Sequence, residues 1–245
     1  MATTLTPYTA LEYAEKIVKH MPLERVYVDI ANDIQRRIWH AGNWSWTVAQ
    51  TSSITVPAST TGGSQLVEFT SLTTPAARFI EGILKHDIAT GGGRTDNIAH
   101  LKPVSLNPLT AIVGPPTTFQ YIPVSSLGND GVRFNTKPAF PTAGTFVGLY
   151  KTIFPTLTES TLHTTAAATN QQLPDDWYHV YQDGVLWLAM QYAGDGRQGQ
   201  AQLAADGRIS YTGQYGIFMA GLDRMKALEP QITLEYRLAQ DKVNE

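Results

Sequence analysis

The sequence predicts an α+β fold in which helices from both ends of the chain form a bundle. A large antiparallel β domain, either a sandwich or a partly open barrel, is inserted between them. Apolar residues recur at helical spacing near the N-terminus and again from Trp177 to Tyr192, whereas the intervening text alternates apolar and polar residues. Charge changes too, because only thirteen of the 129 residues from Ser45 to Leu173 are charged, against 26 of the other 116. The predicted division is a helical hairpin at 1–44, a β insertion at 45–172, completing helices at 173–230 and a C-terminal arm at 231–245.

Composition limits the classes of function. The hydrophobic fraction of 42% argues against disorder, and the charged fraction of 16% is low, so uncharged polar residues or neighbouring subunits must cover much of the surface. A net charge of -3 gives no general basic field for nucleic acid. With no cysteine, disulfides and thiolate metal sites are excluded. The start of the chain lacks the features of a signal peptide and no apolar run has the length of a membrane span, so no membrane partner is expected.

Two helices are predicted before the insertion. Residues 9–20 form a short amphipathic pattern, with Thr6 or Thr9 as a possible cap and Pro7 suited to a first turn. From Leu23 the apolar period continues for about five turns and ends at Gly42. The two helices are expected to form an antiparallel hairpin.

Beyond Trp44 the period becomes alternating and β-branched residues are frequent. Clusters of glycine, proline and asparagine separate the alternating runs, as expected of turns. The predicted strands cover 47–56, 65–72, 78–88, 98–104, 117–124, 132–135 and 145–154.

The second helical part is predicted to open at Pro174, where a missing N–H costs nothing and where Asp175 and Asp176 place negative charge at the positive end of the helix dipole. Residues 158–172 before it are predicted to form a loop. The pattern from 197 to 228 is less regular, and Gly207, Gly213 and Gly216 argue against a continuous helix before the last one. A last helix is predicted over 215–228. The remainder, 231–245, is predicted to be a strand or an arm that folds on a partner.

The sequence gives no clear catalytic, cofactor or metal site, and we predict none. The stretch Gly91-Gly92-Gly93-Arg94-Thr95 lacks the Gly-Lys-Ser/Thr of a phosphate loop and is better interpreted as a hairpin tip. The six histidines (His20, His40, His86, His100, His163 and His179) are scattered without zinc-type spacing. His179 lies one turn after Asp175 and Asp176, so an acid and a base could share a helix face, although a surface imidazole on a capped helix explains the pattern equally.

Tryptophans form two groups in the sequence: Trp39, Trp44 and Trp46, and Trp177 and Trp187. Aromatic side chains can stack on single-stranded bases, but that use requires neighbouring lysines or arginines, which are not interleaved here. We therefore expect these rings to lie in a core and at a domain hinge.

Taken in order, the motifs resemble phage neck proteins, the head-to-tail adaptors that form a ring under the portal. The resemblance spans nearly the whole chain except Ile80 to Pro116, whose role is not predicted. The matching segments are Ile30 to Trp46, Gly148-Leu149-Tyr150-Lys151, Phe154-Pro155-Thr156-Leu157-Thr158, Leu173-Pro174-Asp175-Asp176-Trp177, Gly184-Val185-Leu186-Trp187 and Arg224-Met225-Lys226.

The resemblance implies a structural virion protein without catalysis. Such a connector is made in the host cytoplasm and assembles in the virion neck as a homo-oligomeric ring, twelvefold, around a channel for DNA during genome ejection. It binds the portal protein above and a tail tube or nozzle protein below, and DNA passes without sequence-specific binding. In such rings the C-terminal segment reaches onto the portal, which would suit 231–245.

Two other classes of function remain open from the sequence. One is a tail-associated cell-wall or polysaccharide hydrolase with Asp175, Asp176 or Glu81 as its acids, since carboxylate pairs are often distant in sequence. The other is a glycan-binding tail module built on the β insertion.

Overall fold

The computed structural model describes residues 5–18, 26–69, 72, 76–90, 93–106, 112–123, 129–140, 142–163, 173–203, 205 and 207–229. Helices and strands segregate along the chain, which confirms the α+β class. The chain divides into two compact units. The helical unit comprises Met1–Thr47 and Phe154–Gln231, and the described part of the strand unit lies within Val48–Ile153. The predicted arm at 231–245 lies outside the described residues.

Within the described residues, the helical unit contains four α-helices. Pro7 occupies the first turn of the first helix, and Thr6 and Thr9 bond each other's backbone N–H groups in a capping box. The second helix ends at Gly42, as predicted, and its start is described from Tyr27. The bounds are α1 Pro7–Ile17, α2 Tyr27–Ala41, α3 Tyr178–Tyr192 and α4 Gly213–Leu228.

Helix α3 is the centre of this unit, since it contacts α1, α2 and α4. A 3-10 turn at Asp175–Trp177 directly precedes α3. A Cβ added at Gly184 would lie 2.7 Å from Ile34 Cγ2 and 2.8 Å from Phe218 Cε2, so glycine permits α2 and α4 to approach closely. The buried residues of α3 are Val180, Tyr181, Gly184, Val185, Leu186, Trp187, Leu188, Ala189 and Met190.

Residues 154–163 belong to the helical unit, whereas the sequence-based division placed the end of the β insertion at 172. Leu157 and Leu162 are buried in the helical core. The buried Asn32 side chain accepts a hydrogen bond from Leu157 N at 2.7 Å and donates one to Leu157 O at 3.0 Å. The side-chain amide of Asn32 takes the place of the backbone hydrogen-bond partners that a strand or helix would supply. Residues 154–163 have no regular secondary structure over most of their length, so hydrophobic periodicity does not predict where they pack.

In the described part of the strand unit, eight strands form one sheet. Their order is β1-β8-β4-β5-β6-β7-β3, with β2 also paired to β8. Strands β2 and β3, from opposite ends of this order, contact each other. A single sheet therefore curls into a half-barrel, which favours the partly open barrel over the sandwich. The bounds are β1 Val48–Gln50, β2 Ile54–Val56, β3 Leu66–Phe69, β4 Ala76–Thr90, β5 Gly93–Pro103, β6 Thr118–Ile122, β7 Asp130–Phe134 and β8 Gly144–Thr152.

The sheet is mixed, which corrects the prediction of an antiparallel domain. Strands β5 and β6 pair in parallel, with Lys102 opposite Thr118 and Pro103 opposite Phe119. A parallel pair needs a crossover of about a dozen residues or more. The 14 residues between Pro103 and Thr118 are long enough for this return.

Aromatic rings fill the concave side of the sheet, including Phe79, Phe119 and Phe146, all buried. A Cβ at Gly148 would lie 2.5 Å from Phe79 Cε1, and one at Gly82 would lie 2.6 Å from Phe146 Cε2. These two glycines therefore leave space for rings that a side chain on the strand would displace.

Candidate assembly surface

A two-stranded hairpin follows α3 and precedes α4 in the helical unit. Its strands are β9 Ala201–Leu203 and β10 Ile209–Tyr211, which pair antiparallel. All six strand residues are exposed. The sequence analysis assigned no strand here, because strands of three residues are too short to give an alternating pattern. The available signal was the dipeptide Asp206-Gly207 in the stretch between Leu203 and Ile209, since Asp-Gly is typical of hairpin turns.

One face of the hairpin carries large apolar side chains. Leu203 and Ile209 are direct cross-strand partners, and Tyr211 lies two residues further along the same face. Their exposed fractions are 74%, 60% and 38%. We call Leu203, Ile209 and Tyr211 the hairpin patch. An isolated two-stranded hairpin is marginally stable in water, and grouped exposed apolar side chains indicate interaction sites.

Two glycines fix the base of the hairpin. Gly199 has φ 73° and Gly213 has φ 58°, a region that favours glycine. A Cβ at Gly199 would collide with the carbonyl of Thr212, and one at Gly213 would lie 2.6 Å from Arg197 O. The backbone segments therefore cross in direct contact, which fixes the direction in which the hairpin leaves the helices.

Polar contacts reinforce this base. Thr212 N donates to Gln200 O at 3.1 Å, and Gln200 N donates to Thr212 Oγ1 at 3.2 Å. Arg197 Nη2 donates to Asp195 Oδ2 at 2.6 Å, and these hydrogen bonds lower the pKa of Asp195 to about 2. The hairpin is thus exposed along its strands but held at its base.

Aromatic contacts connect the hairpin patch to the helical core. The rings of Tyr211 and Tyr215 meet edge to face with centroids 5.4 Å apart, and Tyr215 lies 4.5 Å from the ring of Trp187. The guanidinium of Arg37 lies 5.1 Å from the Trp187 centroid. The patch is therefore supported from α3 and α4.

The predicted tryptophan core is confirmed in the helical unit, where Trp39, Trp44, Trp177 and Trp187 are buried. Trp44 Nε1 donates to Ile38 O at 2.7 Å and its ring stacks on Trp46 at 5.5 Å. Trp177 Nε1 donates to Glu229 Oε1 at 2.6 Å. These bonds satisfy indole groups that would otherwise be buried without partners.

In the helical unit, the candidate acids Asp175 and Asp176 are not paired with the imidazole of His179. Asp175, Asp176 and His179 are exposed, and His179 Nδ1 lies 3.0 Å from the backbone carbonyl of Asp176 rather than from either carboxylate. Glu81 belongs to the strand unit, where its Oε1 lies 3.0 Å from His100 Nδ1 on the neighbouring strand. His179 is therefore a surface imidazole, and Glu81 and His100 form a cross-strand pair.

Other predicted features are limited by the described residues. Strands β4 and β5 pair as far as Thr90 and Gly93, while Gly91 and Gly92 lie outside the described residues. Among the residues that the structure describes, no three His, Cys, Asp or Glu side chains form a group that could hold a metal ion. Within the same ranges, every helix is too short or too polar to cross a bilayer.

The strand unit contains an open cleft of about 390 Å³. Arg78, Phe79, Ser105 and Tyr121 are among its lining residues. Burial raises the pKa of Tyr121, and a hydrogen bond with Asp130 raises it further, so the phenol stays protonated at neutral pH. The volume falls within the range of small-molecule sites.

Comparison of the chain with models of known protein families and with curated proteins gives no match. Among the surfaces of the described residues, the hairpin patch combines exposure, apolar character and a fixed base.

Proposed function

We propose that this protein is a structural component of a phage virion, a head-to-tail adaptor that forms a ring between the portal and the tail. In this proposal the helices of both chain ends form a bundle, and the inserted strand unit folds separately. Identical copies surround the DNA channel with the twelvefold symmetry that the resemblance implies. The observation that carries the proposal is the hairpin patch on its glycine-fixed base.

A ring requires a surface on each copy that fits a different surface on the next copy. The hairpin patch is suited to this role because Leu203 and Ile209 expose most of their side chains. Burying each of them fully would stabilise an interface by about 1.5–3 kcal/mol. Because Gly199 and Gly213 fix the base of the hairpin, little conformational entropy is lost on docking.

The charge balance supports the same proposal. A charged fraction of 16% suits a protein whose sides are covered by neighbours. A net charge of -3 suits a channel through which DNA must slide, since phosphate contacts dominate affinity for DNA.

The test is assembly of the purified protein, alone and with portal, measured by sedimentation velocity and negative-stain imaging. We expect closed rings on the portal for the wild-type chain. The double variant Leu203→Ser/Ile209→Ser should remain folded, with a free energy of unfolding within about 0.5 kcal/mol of wild type, because both positions are exposed. It should fail to form rings.

The matched control is Tyr192→Ser, which changes another exposed apolar residue of the helical unit, 55% exposed, outside the hairpin. We expect it to assemble normally. Wild-type protein that stays monomeric on the portal would contradict the adaptor, and rings formed by the double variant would contradict the role of the patch.

A second candidate function, a glycan-binding tail module, is favoured by the cleft of the strand unit. Aromatic rings beside an arginine and a serine offer both apolar and polar contacts to a sugar. A glycan array with wild-type protein and Tyr121→Ala tests it. Binding that the variant loses would support this function, and an array without signal would refute it.

A further inference from the structure

A second surface feature of the helical unit is a small pocket at the N-terminal end of α1. Leu5, Pro7 and Leu173 contribute apolar walls, and the rings of Tyr178 and Tyr181 also line it. Its volume is about 30 Å³, which is room for a group of a few atoms.

The polar group of this pocket is Gln35 of α2. Its side chain is only 5% exposed, and within the described part of the chain neither Oε1 nor Nε2 has a hydrogen-bond partner. A buried amide without partners is unfavourable, and such groups are rare in folded proteins. The described chain therefore leaves one donor group and one acceptor group of Gln35 unused. Each has less than 1 Å² of exposed surface, so a ligand in the pocket reaches them as the surrounding side chains shift.

The neighbouring hydroxyls are already engaged. Tyr178 OH donates to Thr6 O at 2.8 Å and lies 2.6 Å from Thr9 Oγ1. Tyr181 OH donates to Ala31 O at 3.4 Å. Neither phenol can turn towards Gln35 without breaking a bond that fixes α3 to α1 or α2.

The unpaired donor and acceptor of Gln35 determine which chemical group fits the pocket. A primary carboxamide carries an acceptor and a donor on one carbon and can pair with both atoms of Gln35 at once. A single trans peptide group cannot, because its N–H and C=O point in opposite directions. The N–H and C=O of one residue can, as Leu157 does with Asn32, but that pairing needs a stretch of main chain, for which a pocket of about 30 Å³ has no room. A carboxylate offers acceptors only, so it would leave Gln35 Oε1 unpaired.

We propose that this pocket receives the side-chain carboxamide of an asparagine or glutamine from a partner polypeptide. The exposed carboxylate of Asp175, which also lines the pocket, favours a lysine or arginine next to that amide residue. The pocket is formed by α1, α2 and the start of α3, whereas the hairpin patch lies between α3 and α4 in sequence. The inference therefore does not depend on the ring.

The experiment uses the full-length protein, labelled with ¹⁵N, and propionamide as the probe. The side-chain NH₂ resonances of the protein are followed while propionamide is added. A second titration with propionate, which has the same shape but no donor, is the control. We expect the Gln35 resonances to shift saturably with propionamide, with half-saturation on the order of 10 mM for so small a ligand. Propionate should produce at least a tenfold weaker response.

Gln35→Leu is the decisive variant, since it keeps the volume and removes the amide. We expect an equal or higher Tm, and loss of the propionamide response at the backbone amide signals of Tyr178 and Tyr181. Should Gln35→Leu fold poorly, Gln35→Met takes its place. The control Gln191→Leu, at an exposed position of α3, should leave the response unchanged.

Two outcomes would overturn the proposal. One is a titration without saturable shifts, which would show that Gln35 is satisfied by water alone. The other is an equal response to propionamide in wild type and Gln35→Leu, which would place the probe elsewhere.

Discussion

The two units build their cores in different ways. In the helical unit one helix, α3, contributes nine buried residues and contacts the three other helices. In the strand unit the core is shared among rings on separate strands, such as Phe79, Phe119 and Phe146, with glycines opposite them. The helical core therefore depends on one element, whereas the strand core depends on pairings between distant parts of the chain. Substitutions should accordingly act on one unit at a time.

The largest expected effect comes from Trp187→Ala. The ring is 8% exposed and packs on Phe218 at 5.8 Å, Tyr215 and Arg37. Removing it should lower the free energy of unfolding of the helical unit by about 3–5 kcal/mol. Chemical denaturation followed by far-UV circular dichroism measures this loss.

The matched change in the strand unit is Phe146→Ala, also fully buried. This substitution should lower the free energy of unfolding of the strand unit by a similar amount. The loss of the strand signal in far-UV circular dichroism measures it. An unchanged melting temperature for Trp187→Ala would show that the ring serves an interface and not the core.

Asn32→Ala tests the attachment of residues 154–163 to the helical unit. The substitution leaves both Leu157 N and Leu157 O without the side-chain bonds that now satisfy them. We expect a loss of about 2–4 kcal/mol in the free energy of unfolding, because two buried backbone groups become unpaired. Hydrogen exchange at Leu157 N provides the local measurement, and slow exchange in the variant would contradict the assignment.

Gly184→Ala tests the close packing around α3. The added Cβ would lie 2.7 Å from Ile34 Cγ2, so α2 or α4 has to move. Overpacking of this kind costs about 1–3 kcal/mol. Gly196→Ala is the control, since a Cβ there has no atom within 4 Å. Equal melting temperatures for the two variants would show that the helices adjust freely.

The smallest predicted effect is a pH dependence in the strand unit. Lys151 is 1% exposed, and burial, with a further contribution from Arg78, lowers its pKa from 10.5 to about 8. The unfolded chain therefore binds more protons between pH 8 and 10.5, so stability rises with pH in that window. We expect a gain of about 1–2 kcal/mol from pH 8 to 9.5, a range that ends below the usual tyrosine pKa of about 10.

Thermal unfolding of the strand unit at several pH values measures this gain. Lys151→Met should abolish the dependence, whereas the exposed Lys102→Met should retain it. A wild-type stability that falls over the same range would contradict the buried amine.

How far the sequence predicts this structure differs between the units. Local signals predict the helices well, because the Thr6 cap, Pro7 and Gly42 act within one turn. Every predicted strand region contains a strand, and the first contains two, β1 and β2. Alternation locates strands but not their partners, so it did not reveal the parallel pair of β5 and β6.

The candidate sites were harder to predict from sequence. The hairpin patch rests on three-residue strands, which are too short for a periodic pattern. The pocket of Gln35 depends on which side of α2 the chain start and Leu173 cover. From the sequence alone, a polar residue within an amphipathic helix is predicted to be exposed.

The contact between Gly199 and Gly213 has an evolutionary consequence. The main-chain geometry at the base of the hairpin sets its orientation, whereas the exposed side chains of Leu203 and Ile209 lie at its far end. Residues 203 and 209 can therefore be substituted with little effect on the stability of the helices. A lineage could thus acquire a new binding specificity by altering the tip alone, provided that both root glycines persist.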